Sequence, residues 1–294
     1  MAPFWAHENM HFSAHNLAGA VMTNTLEDLT YYISVGYSLS VDLSKLGTLF
    51  DLDWLFTLDA FQKHLLDDLL GVGMVSYEEL SQEGHTRTVF GNGVAVTANL
   101  TGSARVAGDH TLAPSGFVAE QDGVVRAGVL TALNGQSLDG SQPHYLIFER
   151  SAFRIRVYQP QGADTELTLN RPASWNDPGR IELFGVKEPN LFFAIPVTVQ
   201  ASTLTFDYQN TLGIHEVDYY LLKYCTDTDF DCDGDTDLDD LAIFEDCLAG
   251  PTAAPSPTPP RTAANCLAAF DADDDLDVDL RDYGHFVARF TGTD

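Results

Sequence analysis

The residues best suited to chemistry lie near the C-terminal end. Asp229, Asp231, Asp233, Asp235, Asp237 and Asp240, with Gly234 among them, occupy positions 1, 3, 5, 7, 9, 12 and 6 of a twelve-residue calcium loop. Asp271, Asp273, Asp275, Asp277, Asp279 and Asp282 repeat the ligand positions 42 residues later (271 minus 229). A hard cation takes about six to eight oxygens, and alternate residues of a curled loop can turn their carboxylates to one centre while position 7 adds a carbonyl. Each loop runs into apolar positions, Leu241, Phe244 and Leu248 after the first, and Tyr283, Phe286, Val287 and Phe290 after the second. The second set is spaced i, i+3, i+4, i+7, so it predicts a helix with one buried face. A solvated acidic tail is the usual meaning of an aspartate run, but it would not place a carboxylate on every ligand position twice. The expectation is two Ca2+ sites.

The paired loops, with aspartate at position 12, resemble the type I dockerin module over about the last quarter of the chain. The resemblance implies a small all-α module in which two loop-helix units pack around two calcium ions and dock a secreted enzyme onto a cohesin-like or cell-surface anchoring protein. Two positions depart from the pattern. Leu276 stands at position 6 of the second loop, where the turn favours glycine at positive φ, so the second site is expected to be the weaker. Positions 10 and 11 read Leu238 and Asp239, then Leu280 and Arg281, rather than the small hydroxyl pairs of cellulosomal dockerins.

Charge and composition set the surroundings of these loops. The chain has 294 residues, 45% of them hydrophobic, and a net charge of −28, to which residues 226–294 contribute 18 acidic side chains against 3 arginines. That balance repels nucleic acid and anionic membranes and favours cations and neutral ligands such as sugars. No apolar run approaches the roughly 20 residues of a membrane span. Cys225, Cys232, Cys247 and Cys266 all fall in or beside the aspartate loops. Such clustering points to disulfides in an oxidising compartment, with Cys247 paired to Cys266 and Cys225 to Cys232 as the expected arrangement. A zinc site is the alternative, although paired C-x-x-C spacing is lacking. The opening MAPFWAHENM has neither the basic region nor the apolar core of a signal peptide, so an extracellular or cell-surface chain would be a truncated, C-terminal part of a longer one.

The elements that must position the loops read as a multidomain α+β chain. Residues 1–82 alternate strand and helix patterns, with helices expected from residue 25 to 35 and over 54–70 and a strand over 36–43. That rhythm suits a partial α/β, TIM-barrel-like segment, since a whole barrel needs about 250 residues. Residues 83–140 and 141–224 read as short strands between turn residues, a β-domain followed by an antiparallel β-sandwich, with Gly91-Asn92-Gly93 and Asp122-Gly123 as hairpin turns. Residues 226–294 form the calcium module, interrupted over 250–265 by a spacer holding five of the chain's 13 prolines.

Residues 3 to about 125, including PFWAHENMHFSAHNLAGAVMTN, VFGNGVAVTANL and LAPSGFVAEQDG, resemble the end of a glycoside hydrolase barrel passing into its β-domain, in the manner of the endo-α-N-acetylgalactosaminidase-like families. This implies glycosidic hydrolysis of a polysaccharide or glycan by two carboxylates about 5–10 Å apart. Within this chain Glu8, His11 and Asp42 are the candidate catalytic residues, and the complete pair would lie upstream. Trp175, in the polar loop RPASWNDPG, is the candidate for exposed carbohydrate contact. Two other readings compete with a carbohydrate-active enzyme. One is an extracellular calcium-dependent adhesion or scaffold protein. The other is a zinc protease built on His7-Glu8-x-x-His11, although metzincin spacing is absent.

Overall fold

The computed structural model describes residues 13–14, 25–39, 52–140, 142–188, 191–225, 228–231, 235–259, 261–273 and 275–291. The fold is mixed α+β, with mostly antiparallel sheet and few helices, and the chain divides into two compact units.

The first unit covers residues 1–149, 156–171 and 184–221. Its described residues include the helices α1 (Thr25–Ser34) and α2 (Leu52–Phe61), and α2 continues through a π turn at Gln62–Leu66 and a 3-10 turn at Asp67–Leu69. Two short strands, β1 (Ser13–Ala14) and β2 (Ser38–Leu39), pair in parallel. In chain order the described strands of the whole chain continue with β3 (Met74–Glu79), β4 (His85–Phe90), β5 (Val94–Asn99), β6 (Arg105–Ala107), β7 (His110–Leu112), β8 (Phe117–Gln121), β9 (Val124–Leu133) and β10 (Gln136–Ser137). They go on through β11 (His144–Arg150), β12 (Arg154–Gln161), β13 (Thr165–Asn170), β14 (Ile181–Lys187), β15 (Leu191–Ala194), β16 (Thr198–Val199), β17 (Thr203–Tyr208), β18 (Thr211–Leu212), β19 (His215–Glu216) and β20 (Tyr219–Tyr224).

One 13-stranded sheet runs in the order β15-β14-β20-β12-β11-β9-β8-β5-β4-β3, and a three-stranded sheet runs β13-β17-β16. The strands on either side of residues 137–142 pair directly, Leu130 of β9 facing His144 of β11. The sheet therefore continues through the stretch read from sequence as a domain boundary. Both expected hairpins form. Gly93 takes φ +84° after β4, and Asp122 and Gly123, at φ +52° and +75°, make the doubly left-handed turn that matches strand twist.

The helices bury their apolar stripes on this sheet. Leu29 and Ile33 of α1, and Trp54, Leu58 and Phe61 of α2, share a core with Phe90, Val96, Phe117, Val129 and Ile147. Thr30 Oγ1 donates to the Ser115 carbonyl, which ties α1 to the loop that leads into β8. Between the two sheets, Phe206 and Tyr208 of β17 pack on Tyr220 of β20, with ring centroids 5.5 and 4.3 Å apart.

The second unit takes in residues 150–155, 172–183 and 222–294. Its described residues include three α-helices, α3 (Leu238–Cys247), α4 (Ala263–Phe270) and α5 (Leu280–Arg289). The sequence reading missed α4 and assigned its first residues to the proline spacer. Thr262 caps this helix, accepting from the Asn265 N–H while the Asn265 side chain returns to the Thr262 N–H, so the spacer ends at residue 262. Phe244, Phe270, Val278 and Phe286 form the core together with the Cys247–Cys266 disulfide, which was expected. Cys225 is also disulfide-bonded, and Cys232, its expected partner, lies outside the described residues. With no free cysteine among the described residues, the thiolate zinc alternative is set aside. No described helix is long and apolar enough to cross a membrane.

Candidate metal centre

The aspartates of each loop do two jobs, and the first is to fold the loop. Asp240 Oδ1 accepts from the N–H groups of Phe230 (2.6 Å) and Asp231 (3.4 Å), and its Oδ2 accepts from the Asp237 N–H (3.0 Å). Asp237 in turn caps α3, accepting from the Asp239 N–H at 2.8 Å. The second loop repeats this pattern in register. Asp282 accepts from Ala272 (2.8 Å) and Asp279 (2.7 Å), and Asp279 caps α5 through the Arg281 N–H at 2.6 Å. A carboxylate at a helix N-terminus meets unpaired N–H groups and the positive end of the helix dipole, so these contacts hold both loops at their helices.

The loops are also bonded reciprocally. Thr291, just after α5, donates its N–H to the Thr236 carbonyl of the first loop at 3.0 Å, and Ala249, just after α3, donates to the Val278 carbonyl of the second at 3.0 Å. Thr236 and Val278 are both position 8, and residues 249 and 291 are likewise 42 apart (291 minus 249), so the repeat is structural as well as sequential.

The second job is to gather negative charge. Asp229, Asp231 and Asp240 bring one ligand atom each to within 4.8 Å of one another, as do Asp235, Asp237 and Asp240. The same holds for Asp271, Asp273 and Asp282, and for Asp277, Asp279 and Asp282. Two like charges about 5 Å apart repel by roughly 3 kcal/mol at an effective dielectric constant of about 20. Asp229, Asp240 and Asp282 are each 1% exposed, so water does little to offset that repulsion. Burial, with Asp231 nearby, pushes the Asp240 carboxyl above its ordinary value in spite of its backbone donors. Asp277 is buried, and while its Oδ2 accepts from the Thr252 N–H, its Oδ1 has no hydrogen-bond partner. A buried carboxylate oxygen without a donor is costly, and a cation at the cluster would satisfy it. The clusters fit a metal ion.

The two loops are unequal. Leu276 takes φ +68°, the left-handed turn that position 6 requires, with its side chain 70% exposed. The turn is held by Asp271, whose oxygens accept from the N–H groups of Asp275 (3.1 Å) and Leu276 (3.0 Å). Arg281 Nη1 lies 3.7 Å from Asp273 Oδ2 and 3.8 Å from Asp275 Oδ2, a counter-charge for which the first loop has Asp239 instead. Lys223, which the loop motif does not include, donates from Nζ to the Asp231 carbonyl at 2.7 Å, and burial lowers its pKa. Nothing in the alternating pattern of β20 distinguishes that lysine beforehand.

Of the other candidate residues, Trp175 requires a correction. It is fully buried, its ring stacks on Tyr224 at 5.6 Å, and its Nε1 donates to the Ala152 carbonyl at 2.7 Å. It is a core residue and not an exposed sugar platform. Glu8, His11 and Asp42, with the His7-Glu8-x-x-His11 motif, lie outside the described residues, as do Asp233 and Gly234. No protein-family model matches the chain, and no curated protein matches it.

Proposed function

We propose that residues 226–294 form a dockerin-like module that binds two calcium ions and anchors part of an extracellular carbohydrate-active enzyme. The observation that carries this reading is the 42-residue repetition of both carboxylate clusters and the backbone contacts that fold them. All-carboxylate clusters with no described His or Cys suit a hard cation over zinc or copper. Calcium would be held by Asp229, Asp231, Asp233, Asp235, Asp237 and Asp240 in the first loop, and by Asp271, Asp273, Asp275, Asp277, Asp279 and Asp282 in the second. Its contribution is to neutralise the gathered carboxylates and fix the helices that follow.

An anchoring role is supported by apolar side chains left outside the module core. Leu238 and Leu280, equivalent in the repeat, are 55% and 77% exposed, and Tyr283 and Val287, which their spacing placed on a buried face with Phe286, are instead 40% and 51% exposed and continue the stripe along α5. The disulfides agree with an extracellular setting. The carbohydrate part rests on the resemblance over residues 3–125 and on the acidic charge, which disfavours polyanionic ligands. In this reading the β1–β2 pair and the helices α1 and α2 are the end of an α/β barrel, and the sheets that follow are accessory β-sandwich. Calorimetric titration with Ca2+ tests the module, and Asp240→Asn should remove the tighter of two binding events. Binding and hydrolysis assays of the chain on a polysaccharide panel test the carbohydrate reading.

A further inference from the structure

On the first unit a cleft of about 960 Å3 opens beside the turn between β12 and β13, the short strands β18 and β19, and helix α2. Small-molecule sites commonly measure about 300–1,000 Å3. The wall of this cleft is fixed by hydrogen bonds. Gly162 has φ +135°, and a Cβ there would fall 2.4 Å from Gln159 Nε2 and 2.9 Å from His144 Nδ1, so only glycine permits the close approach. Gln159 Nε2 donates to the Ala163 carbonyl and to His144 Nδ1, both at 2.9 Å. His144 Nε2 donates to the Asp139 carbonyl at 2.8 Å, which sets the tautomer. Across the cleft Asn210 Nδ2 donates to the Gly162 carbonyl at 3.1 Å, and Lys187 is held by Asp218 at 2.8 Å.

Two features indicate what fits. The lining carboxylates Asp53, Glu216 and Asp218 outnumber Lys187, which disfavours anions. Phe56 on α2 is 63% exposed and gives the rim an aromatic face.

We propose that this cleft binds a neutral saccharide. Hydroxyl groups would donate to the carboxylates, the amides of Gln142 and Gln161 would donate to ligand oxygens, and the C–H face of a sugar ring would cover Phe56. The proposal deepens the carbohydrate reading above and uses none of the aspartate-loop residues. The test is titration of the full chain with neutral gluco-, galacto- and xylo-oligosaccharides at millimolar concentration, followed by calorimetry and saturation-transfer NMR, with calcium binding measured on the same samples. At least one oligosaccharide should bind, and Phe56→Ala and Gln161→Ala should each weaken it by about tenfold or more with calcium binding unchanged. Absence of binding by every oligosaccharide, or binding that neither variant alters, overturns the proposal. Calcium binding without saccharide binding refutes the cleft alone. Saccharide binding without calcium binding refutes the module reading and leaves the cleft standing.

Discussion

Phe244 and Phe286 occupy equivalent places on α3 and α5, 42 residues apart (286 minus 244), and their rings meet with centroids 5.3 Å apart in the core of the module. Each is nearly inaccessible to solvent, so the two halves of the repeat are held together through the side chains that the repeat itself makes equivalent.

Removing either ring should leave a cavity that the other half cannot fill. Phe244→Ala and Phe286→Ala are each expected to destabilise the second unit by about 3–5 kcal/mol, and the double variant by less than the sum, because the rings touch. Denaturant unfolding measured on both single variants and the pair reads this directly. Full additivity would mean that the contact contributes little.

The turn at Leu276 makes a separate prediction. A branched residue at φ +68° costs about 1 kcal/mol or more, and its exposed side chain provides little packing in return. Leu276→Gly should therefore tighten the second calcium site by about fivefold and bring the two sites closer in affinity, as read by calorimetry. An unchanged weaker site would show that Arg281 or another feature sets the inequality.

The aspartate clusters were legible in the sequence because they are local: twelve residues hold the gathered carboxylates, the turn and the helix cap of each loop. Position 6 could be read for the same reason, since a turn type restricts its own residue. Trp175 was misread because what buries it is distant in sequence. Tyr224 lies 49 residues on (224 minus 175), and a polar loop composition does not reveal such a partner. The continuous sheet across residues 137–142 was hidden similarly, since pairing of β9 with β11 is a property of register and not of composition. Helix α4 did carry a signal, the Thr262 and Asn265 capping box, which the neighbouring prolines obscured.

Acid stability should report on Glu149 in the first unit. Hydrogen bonds from His64 and then Tyr158 hold its carboxyl down at about 2, below its ordinary 4.5. A depressed carboxylate stabilises the fold above its unfolded pKa, and that contribution is lost as pH falls through the folded value. The loss belongs between about pH 4.5 and about pH 2. Glu149→Gln should flatten the fall in melting temperature over that window, and an unchanged slope would assign the acid sensitivity to other groups.

The Cys247–Cys266 disulfide closes a segment of sequence separation 19 that contains the proline spacer. By the chain-entropy account such a closure stabilises by about 3 kcal/mol, so the Cys247→Ser and Cys266→Ser double variant should lose about that much in denaturant unfolding. Calcium should recover part of the loss, because an ion bound only by the folded loops stabilises them by mass action.

The central claim is that two unequal calcium sites lie in the aspartate loops, and calorimetric titration of the metal-stripped chain with Ca2+ tests it most directly. The account predicts two binding events of different affinity, the tighter abolished by Asp240→Asn and the weaker by Asp282→Asn. A titration showing no calcium heat, or two events that survive both substitutions, would contradict it.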